Sequence, residues 1–268
     1  MQSATRKIES GVQLFLRVNS QNSNKISGIC PELFPNGGPY PNEVVKLIVG
    51  KDVDPSDILV DLIVRCILPT KYGTDCKGVE VILINTEFQI KLFKIIKFIE
   101  ETIKCSQRAE QTKNVIENAF KRLYMLNCYT LDQLELSFHK LEKIINNSEN
   151  VGLVVLENAM TFYWTSKFTK SKLSYDKYFC NIVEKLFDKI KDLNVVLLCV
   201  CRIDEVTELD KKSSTIISTR ILVEKKSDIF WGSVKQFDNN DTAILGPFKV
   251  NCGLKFCHET ESGINKVI

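Results

Sequence analysis

A chain of 268 residues with 44% hydrophobic and 26% charged residues can fill the core of one large α/β domain and is too apolar to be disordered throughout. A net charge of +3 excludes a protein that binds nucleic acid through its overall field, so any such contact has to come from a local patch. The polar start from Met1 to Gly11 lacks the apolar stretch of a signal peptide, and no apolar run reaches the roughly 18 residues of a membrane helix, so a soluble, intracellular protein is expected.

Residues 4–18 carry Ile8, Val12, Phe15 and Leu16 at helical spacing and predict a short amphipathic helix. Residues 19–42, rich in Asn, Ser, Pro and Gly, predict a linker or irregular loop. From residue 43 short apolar runs alternate with helical stretches. The runs are Val44 to Val49, Val79 to Ile84, Leu123 to Asn127, Leu153 to Leu156 and Val195 to Val200; the helices fall near 55–68, 88–104, 109–121, 131–146 and 174–192. Near-continuous apolar strands between helices predict a mostly parallel, doubly wound α/β sheet. Residues 203–215 are polar and predict a mobile loop. The runs Ile216 to Val223, Ile229 to Val234, Ala243 to Val250 and Leu254 to Cys257 then predict an antiparallel extension of the sheet. The expected organisation is an N-terminal helix and linker over 1–40, a core over 41–205 and the extension of the same domain over 206–268.

Cysteine is frequent, at ten residues. Cys66, Cys128, Cys180 and Cys199 sit in apolar segments, where a reduced thiol packs as a small hydrophobe. Cys252, Cys257 and His258 cluster near the C-terminus, but no second ligand pair has zinc-site spacing, so reduced thiols and no metal are expected. With His139 and His258 as the two histidines, a His-dependent triad has little to build on.

In open α/β sheets ligands bind beyond the carboxyl ends of the strands. The first such turn reads Val49-Gly50-Lys51-Asp52-Val53-Asp54-Pro55-Ser56. A phosphate loop, GxxxxGK[ST], uses glycines to let backbone N–H groups surround phosphates and a lysine to neutralise them. Here one glycine is present, and Pro55, without N–H or charge, stands where the lysine belongs. Asp54 as N-cap and Pro55 as first helical residue instead predict a strand-to-helix turn without an anion. Glu87, after the second strand, suits either a carboxylate orienting a water or the favourable N-terminus of a helix. Glu157 ends the fourth apolar run, where nucleotide-hydrolysing enzymes place a magnesium-holding acid, usually Asp; an ordinary strand end is the other reading. Phe162-Tyr163-Trp164 predicts core or protein packing ahead of base stacking. Lys167, Lys170, Lys172 and Lys177 among Ser and Thr suit either a DNA-backbone contact or a solvated loop.

The order of these pieces resembles the RecA-like core of the recombinase paralogues: a phosphate-loop position, Asn85-Thr86-Glu87 after the second strand, then an apolar run ending in acid. Glu9-Ser10-Gly11, Arg65-Cys66-Ile67-Leu68-Pro69, Phe162-Tyr163-Trp164 and Glu261-Ser262-Gly263 extend the resemblance along nearly the whole chain. By position Pro55 replaces the phosphate-loop lysine, Ser56 keeps the hydroxyl, Glu157 replaces Asp, and Glu87 stands at the catalytic-acid position.

The resemblance implies a RecA-like, P-loop-type core and a nuclear subunit acting in double-strand-break repair by homologous recombination and at stalled forks. It implies other recombinase paralogues as partners, most directly the D paralogue, with DNA met through the complex. The family descends from DNA-dependent ATPases and uses ATP and magnesium; with its lysine and glycines gone, this chain is expected to be a scaffold with no catalytic residue and no cofactor. Two alternatives stay open. One is an ATPase using Lys51, Ser56, Glu87 and Glu157, with charge supplied by a neighbour; the other is a stand-alone nucleic-acid module using Lys167 to Lys177.

Overall fold

The computed structural model describes residues 26–31, 33–34, 37–73, 75–103, 109–148, 150–170, 174–202, 216–226, 229–236, 242–250 and 254–256. The expected N-terminal helix at 4–18, the loop at 203–215 and the Cys252, Cys257, His258 cluster lie outside the described residues.

Among the described residues nine strands form one sheet: β1 (Val44–Val49), β2 (Glu80–Asn85), β3 (Leu123–Asn127), β4 (Val151–Leu156), β5 (Val196–Arg202), β6 (Thr219–Lys226), β7 (Ile229–Gln236), β8 (Thr242–Val250) and β9 (Leu254–Phe256). Their order is β3-β2-β4-β5-β1-β6-β7-β8-β9. Pairing is parallel from β3 through β6 and antiparallel from β6 through β9. This is the mostly parallel α/β sheet that the apolar alternation predicts, of the RecA-like kind, and its antiparallel strands come at the C-terminal end. The extension begins one strand later than expected: Thr219–Lys226 runs parallel to β1, with Val45 opposite Thr219 and Val49 opposite Val223.

The helices are α1 (Pro55–Ile67), α2 (Leu92–Ile103), α3 (Ala109–Phe120), α4 (Leu131–Asn147), α5 (Tyr163–Lys170) and α6 (Tyr175–Phe187). The period-2 alternation of each strand divides the core into two layers. Val45, Leu47, Val81, Leu83 and Leu153 pack with buried residues of α1 and α2, while Val44, Ile48, Ile82, Ile84 and Val154 pack with those of α4 and α6. The connections leaving β1 and β2 run toward one sheet edge and those leaving β4 and β5 toward the other, which opens a crevice at the carboxyl ends of the central strands.

Composition misleads over residues 26–34. Among the polar residues and turn formers, Ile26, Ile29, Cys30, Leu33 and Phe34 are buried, so this irregular segment is part of the core and not a free linker. The Arg65-Cys66-Ile67-Leu68-Pro69 stretch has a structural job. Arg65 reaches Asp61 at 2.9 Å and Asp75 at 2.7 Å, and the carbonyls of Arg65, Cys66 and Leu68 accept from Lys77, Val79 and Gly78. These bonds tie the end of α1 to the chain entering β2. The described cysteines, Cys30, Cys66, Cys76, Cys128, Cys180, Cys199 and Cys201, are buried. Burial pushes Cys76 and Cys201 up to about 11 and Cys66 and Cys199 further, which keeps them protonated and unreactive at neutral pH.

Gly152 of β4 is closely packed: a Cβ there would lie 3.0 Å from Ile26 Cγ2 and 3.2 Å from Val79 Cγ2. Gly152→Val should therefore overpack this layer and lower stability by about 1–3 kcal/mol. A lower urea midpoint with an unchanged slope is the expected outcome.

Candidate functional site

Four strand ends meet at the crevice. After β1, Gly50 N–H donates to the Val223 carbonyl of β6 at 2.9 Å, and Asp54 caps α1. Its Oδ1 accepts from Ser56 N–H at 2.9 Å and its Oδ2 from the Ser56 hydroxyl at 2.7 Å. A helix N-terminus attracts anions through its unpaired N–H groups and dipole; here the chain's own carboxylate sits there, and Pro55 removes one N–H.

Lys94 of α2 completes the cluster. Its ammonium lies 2.7 Å from Asp57 and 3.4 Å from Asp54, and it donates to the Ser56 hydroxyl. Sequence reasoning missed Lys94, a cation brought over the start of α1 by a different helix. Burial alone would raise the Asp54 carboxyl, but the hydrogen bonds from Ser56 and the charge of Lys94 outweigh it and hold the group below its ordinary value. Lys51 stands exposed in the turn and makes no ion pair or side-chain hydrogen bond with the described residues.

Glu157 lies across the crevice, 2% exposed. Its Oε2 accepts from the backbone N–H groups of Thr86, Glu87 and Phe88 at 2.9, 2.7 and 3.1 Å, and its Oε1 from Gln89 and Ile90 at 2.9 and 3.2 Å. Five successive amides thus converge on one carboxylate, an anion nest filled from within the chain. The nest holds Phe88 at φ 61, in the left-handed region that bulky residues rarely adopt. The Phe88 ring stacks on Tyr129 at 4.5 Å, and Tyr129 is itself 65% exposed.

Glu87 adjoins this nest. Its Oε1 accepts from Asn158 Nδ2 at 2.5 Å, and its Oε2 lies 3.4 Å from Arg202 Nη2 at the end of β5. Thr86 and Asn158 exchange bonds as well, the Thr86 hydroxyl donating to the Asn158 carbonyl at 3.1 Å and accepting from its N–H at 3.2 Å. Sequence reasoning did not single out Asn158 or Arg202; each is a polar residue at or just past an apolar strand, the one signal available.

The fold therefore brings Glu87 and Glu157 together, and places Ser56 in a neighbouring cluster with Asp54 and Lys94. These residues do not fit a magnesium-bound nucleotide. Both Glu157 oxygens are committed to backbone N–H groups, and a carboxylate stands where a phosphate would be cradled. Among the described residues no group of three or more His, Cys, Asp or Glu is placed to hold a metal ion.

The first part of the lysine-rich stretch, read as either a DNA-backbone contact or a solvated loop, is helical. Tyr163–Lys170 is helical, Phe162 and Tyr163 are buried, and Trp164 is 59% exposed. Tyr163 packs edge-on against Trp164, Tyr175 and Tyr178, which is the packing expected of this aromatic run. Lys167 Nζ lies 4.9 Å from the Trp164 ring centre, and Lys177 is exposed in the first turn of α6. Lys170 ends α5, and Lys172 lies outside the described residues.

Sheet order, helix placement and a crevice with acids after β2 and β4 define a RecA-like α/β domain. The chain is similar to the mouse protein described as DNA repair protein XRCC2, with 26% identity over 168 residues, 62% of this chain. The matched stretch spans 57% of the mouse protein, and the relationship is distant. No family model matches the chain.

Two outcomes are expected from the site. Glu157→Gln replaces one acceptor oxygen by an NH₂ facing N–H donors and should destabilise the fold by about 2–4 kcal/mol in urea denaturation, a loss that a solvent-facing metal carboxylate would not show. Asp54 has a folded pKa below its ordinary value of 3.8, so its stabilisation is present above that value and is lost as pH falls through the depressed one. The difference in urea midpoint between wild type and Asp54→Asn should therefore be constant above about pH 5 and shrink below about pH 4.

Proposed function

We propose that this chain is a non-catalytic subunit of a DNA-repair assembly of recombinase-like proteins, acting in homologous recombination at double-strand breaks and stalled forks in the nucleus. Other recombinase paralogues are its partners, the D paralogue most directly, and DNA is met through the complex. The likeness to a DNA repair protein supports the setting. The observation that carries the non-catalytic part is the Glu157 carboxylate, saturated by five backbone N–H groups at the position where a hydrolase needs an acid free for magnesium. The Asp54, Ser56 and Lys94 cluster supports it by supplying both the anion and the cation of a phosphate site from the chain itself.

The test is thermal unfolding of the purified chain with ATP, with and without magnesium. A ligand confined to the folded state adds about 2.7 kcal/mol at a hundred times its dissociation constant. Magnesium together with ATP should raise the melting temperature no further than ATP alone, and co-expression with the D paralogue should give a complex that survives gel filtration. A saturable magnesium-dependent rise would overturn the non-catalytic reading; failure to associate with any recombinase paralogue would overturn the scaffold reading.

A further inference from the structure

At the opposite, amino-terminal end of the parallel strands lies a second cleft, of about 380 Å³, within the range of small-molecule sites. It opens between the 3-10 turn Thr70–Tyr72, which follows α1, and α3, which leads into β3. Asn114 and Asn118 line it from one face of α3, four residues apart, and Arg122 from the turn just beyond the helix. Lys71 and Tyr72 form the facing wall, and Pro69 and Val115 give its apolar lining.

The chemistry of this cleft is one-sided, because among the described residues no carboxylate lines it. Arg122 Nη1 is fixed by the carbonyls of Ile67 and Asn118, each at 3.3 Å, which orients the guanidinium and leaves Nε and Nη2 without a protein partner among the described residues. Lys71 Nζ sits 4.9 Å from the centre of the Tyr72 ring and makes no ion pair with the described residues. Asn118 accepts from Lys121 at 3.1 Å through Oδ1, which leaves its Nδ2 unbonded, and the Asn114 side chain bonds to none of the described residues. Solvated donors of this kind are ordinary singly; here four of them converge on one recess beside an aromatic ring.

We propose that this cleft binds a nucleotide unit, its phosphate between Lys71 and Arg122 and its base against the carboxamides of Asn118 and Asn114. An arginine fork and a lysine suit a phosphate. A carboxamide, with donor and acceptor side by side, matches the adenine edge. The four residues from Asn114 to Asn118 span about 6 Å of helix and Arg122 lies in the turn beyond it, which sets the two recognition elements apart along one mononucleotide. Binding needs no magnesium, since the cations are the protein's own. The same unit can arrive as a free mononucleotide or as one residue of a single strand.

Equilibrium dialysis of the full chain against labelled deoxyadenosine monophosphate, with a metal chelator present, tests the site. Lys71→Glu and Asn114→Leu alter exposed side chains that bond to no other element, so both variants keep the fold, which circular dichroism verifies. Saturable binding weakened at least about tenfold by Lys71→Glu, and weakened also by Asn114→Leu, is the expected result. A short single-stranded oligodeoxyadenylate that binds more tightly and loses affinity in the same variants identifies a strand as the source; binding of the mononucleotide alone identifies the free nucleotide. No saturable binding of either probe up to about 10 mM overturns the proposal, as does binding that both variants leave intact. Inorganic phosphate competing as well as the nucleotide overturns the assignment of the base.

Discussion

One buried carboxylate organises the carboxyl end of this sheet. Glu157 leaves β4 and gathers the amides of residues 86–90, so the path between β2 and α2 is set by a side chain 67 to 71 residues away in the sequence. Because α2 starts directly after that path, the clasp also fixes where Lys94 stands, and Lys94 in turn meets Asp54, Ser56 and Asp57 at the start of α1. The chain of dependence runs from one acid through a loop and a helix to the neighbouring strand-to-helix turn. A buried acid is tolerated when its lone pairs are filled by good donors, and five amides fill them here.

The two halves of the crevice solve the same electrostatic problem in the same manner. A nest of N–H groups after β2 and a helix N-terminus after β1 both favour negative charge. In each the chain provides it, through Glu157 and Asp54. Filling these positions internally makes the crevice part of the hydrogen-bonded framework, continuous with the Thr86, Asn158, Glu87 and Arg202 contacts that join β2, β4 and β5.

Much of this architecture is written locally. Near-continuous apolar runs such as Val44–Val49 and Val196–Val200 mark central strands, and Asp54-Pro55 marks the start of α1, because burial and capping act on neighbouring residues. The direction of β6 was not legible: a run of alternating apolar residues reads alike whichever way its partner points, and the pairing is settled by how the chain crosses over. α5 was missed because it is short, follows an aromatic cluster and carries polar residues that also suit a loop. Of the site, the acid at Glu157 was visible but its role was not, since its partners are main-chain amides that any residue supplies. Lys94 was invisible for a different reason: its contacts span about 40 residues of chain and depend on the packing of α2 against α1.

The clasp over residues 86–90 also bears on motion. Loops generally open first, because water competes easily for their scattered backbone bonds. Here consecutive amides point inward at a single acceptor that is almost wholly shielded from solvent. Opening any one of them means letting water reach an anion the core has enclosed, so this turn shares the slow breathing of the strands beside it, and amide exchange there reports on the sheet as a whole.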